Sequence, residues 1–477
     1  MVIPEVVWGA LLLLLHGGGL LSAVHALVRV RTSQGTIAWC IGLVSFPLLS
    51  LPLYWVFGRR NFQEYTQSIR QVLAEHPKWE ARVWECLGPY LDPPCAADPD
   101  LQTFEKLTVD RFTSGNAVDL LVDGDATFAA IFDALERAED YVLFQFFIVR
   151  HDALGQRVAK VLRRKASEGV RVYVLYDEIG SKDLSAHYLH ELRRAGIQVS
   201  AFGSAQGSLG GLRINFRNHR KTVVVDGRAA FVGGHNVGDE YLGKSLMFGH
   251  WRDTHVRVEG PAVQMIQATF VADWYWATRE PLGPLRWESR RAEGADLAVL
   301  PLATGAGDDR EACTLFFLNA IQMAKKRLWI ASPYFVPDEA VLYALELAAV
   351  RGVDVRILIP AKSDHLMVYL AAFSYMKEVG EVGVKIFRYS DGFLHQKVLV
   401  VDDELAAVGT ANLDNRSLRL NFEMTVLVAD RGFAGRVAEM LERDFSRSEL
   451  EPPDSLEQRG VLFRFAVHVC RLFAPIL

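Results

Sequence analysis

The feature that most constrains the fold of this chain is a pattern of five residues that occurs twice with the same spacing. Each copy reads His, one residue, Lys, four residues, Asp, six residues, Gly, two residues and Asn. The copies are His219, Lys221, Asp226, Gly233, Asn236 and His395, Lys397, Asp402, Gly409, Asn412. A chance match to five positions occurs on the order of once in 10⁶ to 10⁷ starting points, so the repeat predicts one active site built from two halves.

The spacing within each copy fits a strand, a tight turn and a second strand. Residues i and i+2 of a strand share a face, so His219 and Lys221 project together, as do their counterparts in the second copy. The apolar residues on both sides of Asp226 read as the two strands of a hairpin. The hairpin returns the chain towards the histidine, where Asn236 can direct its amide into the same space.

The segments before each copy repeat as well. An amphipathic helix running into an apolar strand occurs at 132–149 and again at 318–336. Helices are predicted at 156–168 and 340–349, strands at 170–176 and 353–359, and a further helix and strand at 184–202 and 366–387. This alternation predicts two homologous α/β halves with buried parallel strands, 106–290 and 291–450, with the active site between them.

Charge and cysteine content exclude several classes of protein. The net charge of −5 and the pI near 6.2 argue against a general nucleic-acid binder, so an anionic substrate must be held by local positive charge. The five cysteines are scattered and contain no CxxC pair, which signals neither a disulfide framework nor a zinc site and fits a reducing compartment. We expect no metal and no cofactor.

The first 58 residues predict a transmembrane helical hairpin. Val6 to Val28 is apolar apart from two histidines and small residues, and Thr36 to Phe57 carries no charge, so both reach the roughly 20 residues that cross a bilayer. A buried helical hairpin is the alternative. Pro47 and Pro52 can kink the second helix, which leaves a shallow hairpin open.

Basic residues near these segments indicate an orientation. A helical connector is expected at 59–105, and two spans would place it on the same side as the N-terminus. That side carries Arg59, Arg60, Arg70 and Lys78, against Arg29 and Arg31 in the loop between the spans. The difference favours a cytoplasmic main domain.

The C-terminal segment, 451–477, has an amphipathic pattern. Apolar residues from Gly460 to Leu477 alternate with Arg464, His468 and Arg471, which fall on one helical face. The pattern is typical of an interfacial helix attracted to anionic lipid, and a helix docked on the protein core is the alternative.

The duplicated pattern resembles the HKD motif of the phospholipase D superfamily. The apolar N-terminal segments, with SPYFVP at 332–337 and GTANLDNRSLRLNFE at 409–423, narrow the resemblance to bacterial cardiolipin synthases. The resemblance implies phosphatidyl transfer between two phosphatidylglycerol molecules, giving cardiolipin and glycerol without a metal. It also implies a multi-pass protein of the bacterial inner membrane, whose partners are phosphatidylglycerol and the anionic phospholipid membrane, with no nucleic acid.

The motif residues suit this chemistry. Attack on a phosphodiester without a metal requires a nucleophile, an acid for the leaving group and fixed positive charge. We expect a ping-pong reaction through a phosphatidyl-histidine, and resemblance to the superfamily favours His219 as the nucleophile and His395 as the acid/base. The phosphoryl oxygens would be held by Lys221, Lys397, Asn236 and Asn412.

Two similar imidazoles need different partners if they are to hold different protonation states. Asp253 in WRDTHV and Glu423 in NFEMTV follow their motifs at comparable places. By analogy with the superfamily, we expect Asp253 to orient His219 and Glu423 to orient His395. An exposed strand carboxylate is the alternative for each.

Two further details concern the hairpins. Asp226 and Asp402 belong to the motif and are included among the site residues, but their place at the turns predicts a structural role. The superfamily often has Ser directly after the motif glycine, whereas this chain has Gly234 and Thr410. The first half therefore lacks a hydroxyl at that place.

Other functions remain open at this level. A membrane-anchored phospholipase D that transfers the lipid to water or another alcohol would share the chemistry up to the intermediate. A nuclease of the superfamily is disfavoured by the acidic, membrane-anchored chain. A non-catalytic membrane scaffold is disfavoured because both motifs are intact. The sequence does not specify the oligomeric state.

Overall fold

A computed structural model describes residues 5–30, 32–58, 62–75, 77–91, 93, 97–203 and 215–477 of the chain. The chain divides into two compact units. The first comprises Met1–Phe62 with Gly203–Phe216, and the second comprises Gln63–Phe202 with Arg217–Leu477.

The first unit contains three apolar helices: α1 Glu5–Arg29, α2 Ser33–Ser45 and α3 Pro47–Phe57. At 1.5 Å per residue, the 25 residues of α1 extend about 37 Å, enough to cross the roughly 30 Å hydrocarbon core of a bilayer. Within the described residues, Val7–Arg29 is the one helical stretch long and apolar enough to span a membrane.

The second apolar segment does not form one continuous helix, so the structure supports one membrane-spanning helix and does not support the predicted second span. The backbone breaks at Phe46, where φ is −135° and ψ is 58°. Pro47 lacks an N–H group and disfavours helical geometry in the residue before it, which explains the break. The resulting helices of 13 and 11 residues extend only about 20 and 17 Å, too short to span the core.

The three helices of the first unit pack through small and polar residues. The imidazole Nδ1 of His25 lies 2.7 Å from the Tyr54 hydroxyl, and the Trp55 indole donates to Ser22 Oγ at 3.3 Å. A Cβ at Gly19 would lie 2.3 Å from the carbonyl oxygen of Leu43, so only glycine permits the approach of α2 to α1.

The second unit begins with short helices and then follows the predicted repeat. Its helices are α4 Gln63–Glu75, α5 Pro77–Leu87, α6 Pro99–Glu105, α7 Asp123–Glu136, α8 Ala153–Ser167, α9 Ala186–Arg194, α10 Ala262–Thr278, α11 Ala312–Met323, α12 Glu339–Val350, α13 Leu366–Glu381, α14 Asn415–Arg419, α15 Arg431–Ser446 and α16 Val461–Arg471. Short 3₁₀ helices lie at Gly88–Tyr90, Asp239–Leu242 and Ala474–Ile476.

The strands of the first half are β1 Thr113–Val122, β2 Tyr141–Phe146, β3 Arg171–Asp177, β4 Gln198–Phe202, β5 Arg217–Asn218, β6 Thr222–Val225, β7 Ala229–Gly233, β8 Trp251–Arg252 and β9 Thr254–Glu259. Those of the second half are β10 Leu297–Thr304, β11 Arg327–Ala331, β12 Phe335–Val336, β13 Asp354–Pro360, β14 Lys385–Tyr389, β15 Phe393–Leu394, β16 Val398–Val401, β17 Leu405–Gly409, β18 Leu413–Asp414, β19 Asn421–Ala429 and β20 Ser448–Leu450.

The main sheet shows the internal duplication. Its strand order is β20-β14-β13-β11-β16-β17-β19-β10-β1-β9-β7-β6-β2-β3-β4. Apart from β20, the order reads the same in both directions when each strand is matched with its counterpart in the other half. The halves join through the antiparallel pair β1 and β10, with Thr113 opposite Val299. The predicted pair of homologous α/β halves is therefore confirmed.

The sheet is mixed and not purely parallel. The pairs β2–β3–β4 and β11–β13–β14 are parallel, as predicted. The hairpins β6–β7 and β16–β17 form where the motif predicts them and are antiparallel, as is their pairing with β9 and β19. A hairpin necessarily reverses the chain, so strands added through it cannot continue a parallel sheet.

Helices cover both faces of the second half. One face is packed by α11, α12, α13 and α16, whose apolar residues share one core with Leu328 and Ile330 of β11. The intervening residue, Trp329, contacts Phe445 of α15 edge to face, with ring centroids 5.4 Å apart. Because alternate strand residues point to opposite faces, α15 lies on the other side of the sheet.

Candidate active site

Each motif histidine is held by a strand of the opposite half. β5, directly before His219, pairs in parallel with β19, and β15, directly before His395, pairs in parallel with β8. The backbone N–H of His219 donates to the Phe422 carbonyl at 2.9 Å, and that of His395 donates to the Arg252 carbonyl at 2.8 Å. These equivalent contacts bring the two motifs together at one place.

The carboxylate partners of the histidines are crossed between the halves. His219 Nδ1 lies 3.0 and 3.1 Å from the two carboxylate oxygens of Glu423, and His395 Nδ1 lies 2.7 Å from Asp253 Oδ2. The predicted pairing, Asp253 with His219 and Glu423 with His395, is therefore wrong. The physical reason is the pairing of strands across the halves. The strand before His219 pairs with β19, which contains Glu423, and the strand before His395 pairs with β8, which directly precedes Asp253.

The hydrogen bonds fix the tautomer of both imidazoles. A carboxylate accepts only, so Nδ1 carries the proton in each ring and Nε2 keeps its lone pair. Neither Nε2 has a hydrogen-bond partner among the described residues. Each side chain is 9% exposed, and because Nδ1 is occupied, Nε2 is the atom each histidine can present to a reactant.

Glu423 is surrounded by donors. Besides His219, its carboxylate accepts hydrogen bonds from the hydroxyls of Thr410 at 2.5 Å and Ser417 at 2.7 Å, and from the side-chain amide of Asn421 at 3.3 Å. The side chain is fully buried. This number of donors holds the carboxylate in its ionised form and in one orientation.

Asp253 has a different environment. It accepts from its neighbour's backbone N–H, that of Thr254, at 2.8 Å and is fully buried. Its Oδ1 lies so close to the backbone of Gly234 that a Cβ there would be only 1.9 Å away. This explains why the first half has glycine after the motif glycine. Gly234 leaves room for the Asp253 carboxylate, whereas at the equivalent position of the second half the Thr410 hydroxyl donates to Glu423.

Both motif lysines are buried beside the histidines. Lys221 Nζ donates to the backbone carbonyl of His219 at 2.8 Å, and Lys397 Nζ donates to that of His395. Lys221 Nζ also lies 5.3 Å from the centre of the Phe147 ring. Each ammonium group is therefore held beside the histidine of its own half.

Burial is the main cause that lowers the pKa values of these two lysines. Burial lowers the pKa of Lys397 to about 8, against the opposing attraction of Asp253 and Glu423. Burial also lowers the pKa of Lys221 well below its ordinary value, and repulsion by the Lys397 charge lowers it further. The charge of Lys397 thus acts on Lys221, a residue of the other half.

The histidines are also shifted, and unequally. Burial lowers the pKa of His219 to about 4, although the Glu423 charge opposes the shift. The pKa of His395 falls well below its ordinary value through burial and the charges of Lys397, Lys221 and His219. Burial raises the pKa of Asp253, whereas at Glu423 the charges of His219 and Lys221 outweigh burial and lower it. The Glu423 partner is thus the more firmly ionised of the two.

The side chains of the two motif asparagines make hydrogen bonds within the protein. Asn236 Oδ1 accepts from the backbone N–H of Ile148 at 3.0 Å, and its amide donates to the Tyr241 hydroxyl at 3.2 Å. The Asn412 amide donates to Asp414 at 3.2 Å, while its buried Oδ1 has no partner among the described residues. Asn412 thus retains an unused polar atom.

The motif aspartates fix the hairpin turns. Asp226 has φ of 54° and accepts three backbone N–H groups, those of Glu139, Asp140 and Tyr141, each at 2.8 Å. Asp402, with φ of 50°, accepts the equivalent groups of residues 325–327. Each lies seven residues after its histidine, roughly 20 Å away along a strand, so these residues act on the fold and do not belong to the reacting centre.

Several residues of the site were not predicted. Ser417, which supports Glu423, stands inside the 409–423 stretch that carries the resemblance. Trp251, whose ring centroid is 5.2 Å from that of His395, opens the WRDTHV stretch that contains Asp253. A buried ion pair between Arg252 and Asp444, with two contacts of 2.8 Å, further joins the halves. Ser417 lies six residues before Glu423, and this closeness in sequence was the only sign of their contact. Spacing alone does not show the direction in which a side chain points.

The arrangement is suited to phosphoryl chemistry. Two imidazoles, each with a free Nε2 and a buried carboxylate behind it, are flanked by two lysines. Such a site can form a covalent bond to phosphorus, transfer a proton and stabilise the non-bridging oxygens. Among the described residues, no group of three or more His, Cys, Asp or Glu side chains could hold a metal ion. Cys95 lies outside the described residues.

Comparison with known proteins agrees with this geometry. The family described as "Cardiolipin synthase, PLD-like domain" matches residues 131–274 and 317–447, and "Phospholipase D-nuclease N-terminal" matches residues 19–59. Cardiolipin synthase A of Pseudomonas fluorescens is 48% identical over 477 residues, covering 99% of this chain and 98% of that protein. Cardiolipin synthase A of Pseudomonas putida is 47% identical over 476 residues, covering 98% of each.

The fold has a counterpart among solved structures. Phosphatidylserine synthase of Haemophilus influenzae superposes with a TM-score of 0.58 at 15% identity, covering 80% of this chain and all of that one. This likeness supports the fold, and the full-length relatives support the class of enzyme. The chain belongs to the cardiolipin synthase family and is a phosphatidyltransferase of phospholipase D-like fold that associates with membranes.

Proposed function

We propose that this enzyme transfers a phosphatidyl group from one phosphatidylglycerol molecule to the hydroxyl of a second, giving cardiolipin and glycerol through a phosphatidyl-histidine. The observation that carries the proposal is the crossed pair of His–carboxylate contacts, which leaves two imidazole Nε2 atoms for one reaction centre. Full-length relatives named cardiolipin synthase A support the choice of substrate.

In the first step, His219 Nε2 attacks phosphorus and the bond from phosphorus to the glycerol oxygen breaks. His395, in its protonated form, gives its Nε2 proton to the departing glycerol. The new bond places positive charge on the His219 ring, and the ionised Glu423 at Nδ1 stabilises that charge. The donor-rich surroundings of Glu423 are the reason for assigning the nucleophile to His219.

In the second step, neutral His395 takes the proton of the incoming phosphatidylglycerol hydroxyl. The resulting oxygen attacks phosphorus, the bond from phosphorus to nitrogen breaks, and His219 is restored while His395 is again protonated. Burial, followed by the positive charges of Lys397 and Lys221, lowers the pKa of His395 in the empty site. An anionic phosphodiester bound between the lysines offsets that field and favours the protonated form that the first step needs.

Lys221, Lys397 and Asn412 are proposed to hold the phosphoryl oxygens. The two lysines supply charge-assisted hydrogen bonds from opposite sides. The Asn412 Oδ1, which has no partner among the described residues, is consistent with a side chain that reorients when a phosphate arrives. Both polar atoms of the Asn236 side chain are hydrogen-bonded, to the Ile148 N–H and the Tyr241 hydroxyl. Its proposed role is therefore to position Tyr241, not to bind the phosphate.

We also propose a subcellular location and a membrane orientation for the enzyme. The substrate is a lipid and α1 can span a bilayer, so we place the enzyme in the bacterial inner membrane with its second unit in the cytoplasm. The basic residues that follow the apolar segments support this side. Protease access to the second unit in right-side-out and inverted vesicles tests it, and cleavage only in right-side-out vesicles would reverse the assignment.

Incubation of the purified protein with phosphatidylglycerol alone tests the reaction. The proposal predicts cardiolipin and glycerol in equal amounts. Phosphatidic acid as the only lipid product would instead indicate transfer to water. No lipid turnover would favour a scaffold, and a His219→Ala variant that equals the parent protein would show that any turnover arises elsewhere.

A further inference from the structure

The helix α16 presents two different apolar faces, and the protein core covers only one of them. Val467 and Cys470 are buried in the core shared with α13, and Phe463 contacts Phe373 with ring centroids 5.2 Å apart. Arg471 also binds α13, donating to Glu378 at 2.8 Å. This face fixes the position of the helix on the second unit.

The other face is exposed and continuous. Leu462 is 85% exposed, Leu472 78% and Phe465 67%. The full set of exposed large apolar residues on this face is Val461, Leu462, Phe465, Val469, Leu472 and Phe473. At 3.6 residues per turn these six positions fall within an arc of about 120°. An unpartnered apolar stripe of this width marks a surface that contacts something other than water.

Basic residues border this stripe. Arg464 and His468 lie on the helix between the apolar stripe and the docked face, beside Glu378 and Glu457, which line the same cavity. Arg459 is exposed just before the helix begins. An apolar stripe with a basic border matches the interface of an anionic bilayer, where apolar side chains enter the acyl region and cationic groups contact phosphates.

The C-terminal end of this segment lies beside the site. The backbone N–H of Arg416 donates to the Leu477 carbonyl at 3.1 Å, which attaches the end of the chain to α14. The next residue of α14, Ser417, donates to the Glu423 carboxylate at 2.7 Å. The segment that carries α16 is therefore linked through α14 to the residues that hold Glu423, the partner of His219.

We propose that the exposed face of α16 docks on the surface of an anionic phospholipid bilayer and so presents the active site to its lipid substrate. The inference adds a second lipid contact to the apolar α1 and holds whichever alcohol accepts the phosphatidyl group. Docking at the depth typical of interfacial helices, roughly 5–10 Å below the headgroups, would bury Leu462 and Phe465 among acyl chains.

Lipid-phase quenching of a fluorophore tests the contact directly. A bimane label is placed on Leu462→Cys in the full-length protein, reconstituted into phosphatidylglycerol and phosphatidylcholine vesicles that contain a nitroxide-bearing lipid. The matched control is the same label on Glu439→Cys, an exposed position on α15 at the opposite face of the sheet. The unsubstituted protein, treated with the same label, supplies the background from native cysteines.

We expect at least threefold stronger quenching at position 462 than at position 439. Equal quenching at both positions would overturn the proposal. A label at 462 that neither lipid nitroxide nor water-soluble iodide can quench would show that protein covers the stripe, which also overturns it. Quenching does not require turnover, so this result is independent of the proposed reaction.

Activity on two forms of the same lipid gives a second readout. The double variant Phe465→Glu, Leu472→Glu should lose at least fivefold of its turnover on vesicles and keep its turnover on monomeric short-chain phosphatidylglycerol. The conservative variant Phe465→Leu, Leu472→Phe should match the parent on both. An equal loss on both substrates would indicate a structural defect and contradict a role in lipid contact.

Discussion

His219 and Glu423 lie in different halves of the chain, yet the imidazole Nδ1 and the carboxylate are 3.0 Å apart in a buried contact. The equivalent contact, His395 with Asp253, runs in the opposite direction at 2.7 Å. Neither half therefore contains a complete His–carboxylate pair. The duplication supplies two copies of the motif, and only their association completes both pairs.

The crossed contact predicts the effect of Glu423→Gln. The amide cannot stabilise positive charge on His219, so we expect kcat for cardiolipin formation to fall by roughly 10²-fold or more, with the folded state retained. Steady-state kinetics in proteoliposomes measure the change. Glu442→Gln, an exposed carboxylate on α15, is the control and should match the parent. Unchanged kcat in Glu423→Gln would contradict the role of this carboxylate.

Gly234→Ala should disable the other histidine. The new Cβ would meet Asp253 Oδ1 at 1.9 Å and must displace the carboxylate from His395. We expect at least a tenfold loss of kcat, measured beside the unfolding midpoint. Gly435→Ala on α15, where a Cβ meets nothing within 4 Å, is the matched control and should keep full activity. Full activity in Gly234→Ala would show that Asp253 tolerates displacement.

The lysines predict an alkaline limit to activity. Burial lowers the pKa of Lys397 to about 8, so its ammonium is lost as the pH rises through that value, and phosphate binding weakens. We expect kcat/KM to decline above about pH 8. In Lys397→Arg the cation persists at every accessible pH, so the decline near pH 8 should disappear even if the overall rate is lower. The same alkaline limb in both proteins would assign it to another group.

Asp226→Asn should affect stability and leave the chemistry intact. The Asp226 carboxylate accepts three backbone N–H groups at 2.8 Å, and an amide can no longer accept all of them with a charged oxygen. We expect a loss of about 1–3 kcal/mol in the free energy of unfolding. Denaturant unfolding measures the loss, and the pH profile of kcat should keep its shape. A changed pH profile would place Asp226 in the reacting centre.

The sequence predicted the two α/β halves and the hairpins because those features depend on local patterns. His219 and Lys221 share a strand face by period alone, and Asp226 occupies a turn that its neighbours define. The crossing of Asp253 and Glu423 could not be predicted in this way. Each carboxylate follows a motif histidine in its own half, so sequence order suggests a pairing within a half. The actual pairing depends on which strands meet across the halves.

The membrane segment shows a different limit. Composition marks Thr36 to Phe57 as long enough to span, but one backbone position decides the outcome. Phe46 precedes a proline and leaves the helical region, so the segment becomes α2 and α3. Close packing of α1 with α2 at Gly19 then depends on contacts between residues far apart in sequence.

Identification of the covalently modified residue tests the central claim most directly. Purified enzyme is mixed with phosphatidylglycerol labelled in the phosphate, quenched within a single turnover under alkaline conditions that preserve phosphohistidine, and digested for mass spectrometry. The account predicts label on His219, slower labelling in a His395→Ala variant because it lacks the acid for the departing glycerol, and slower labelling in Glu423→Gln. Label on His395, or single-turnover product formation with no labelled histidine, would contradict it.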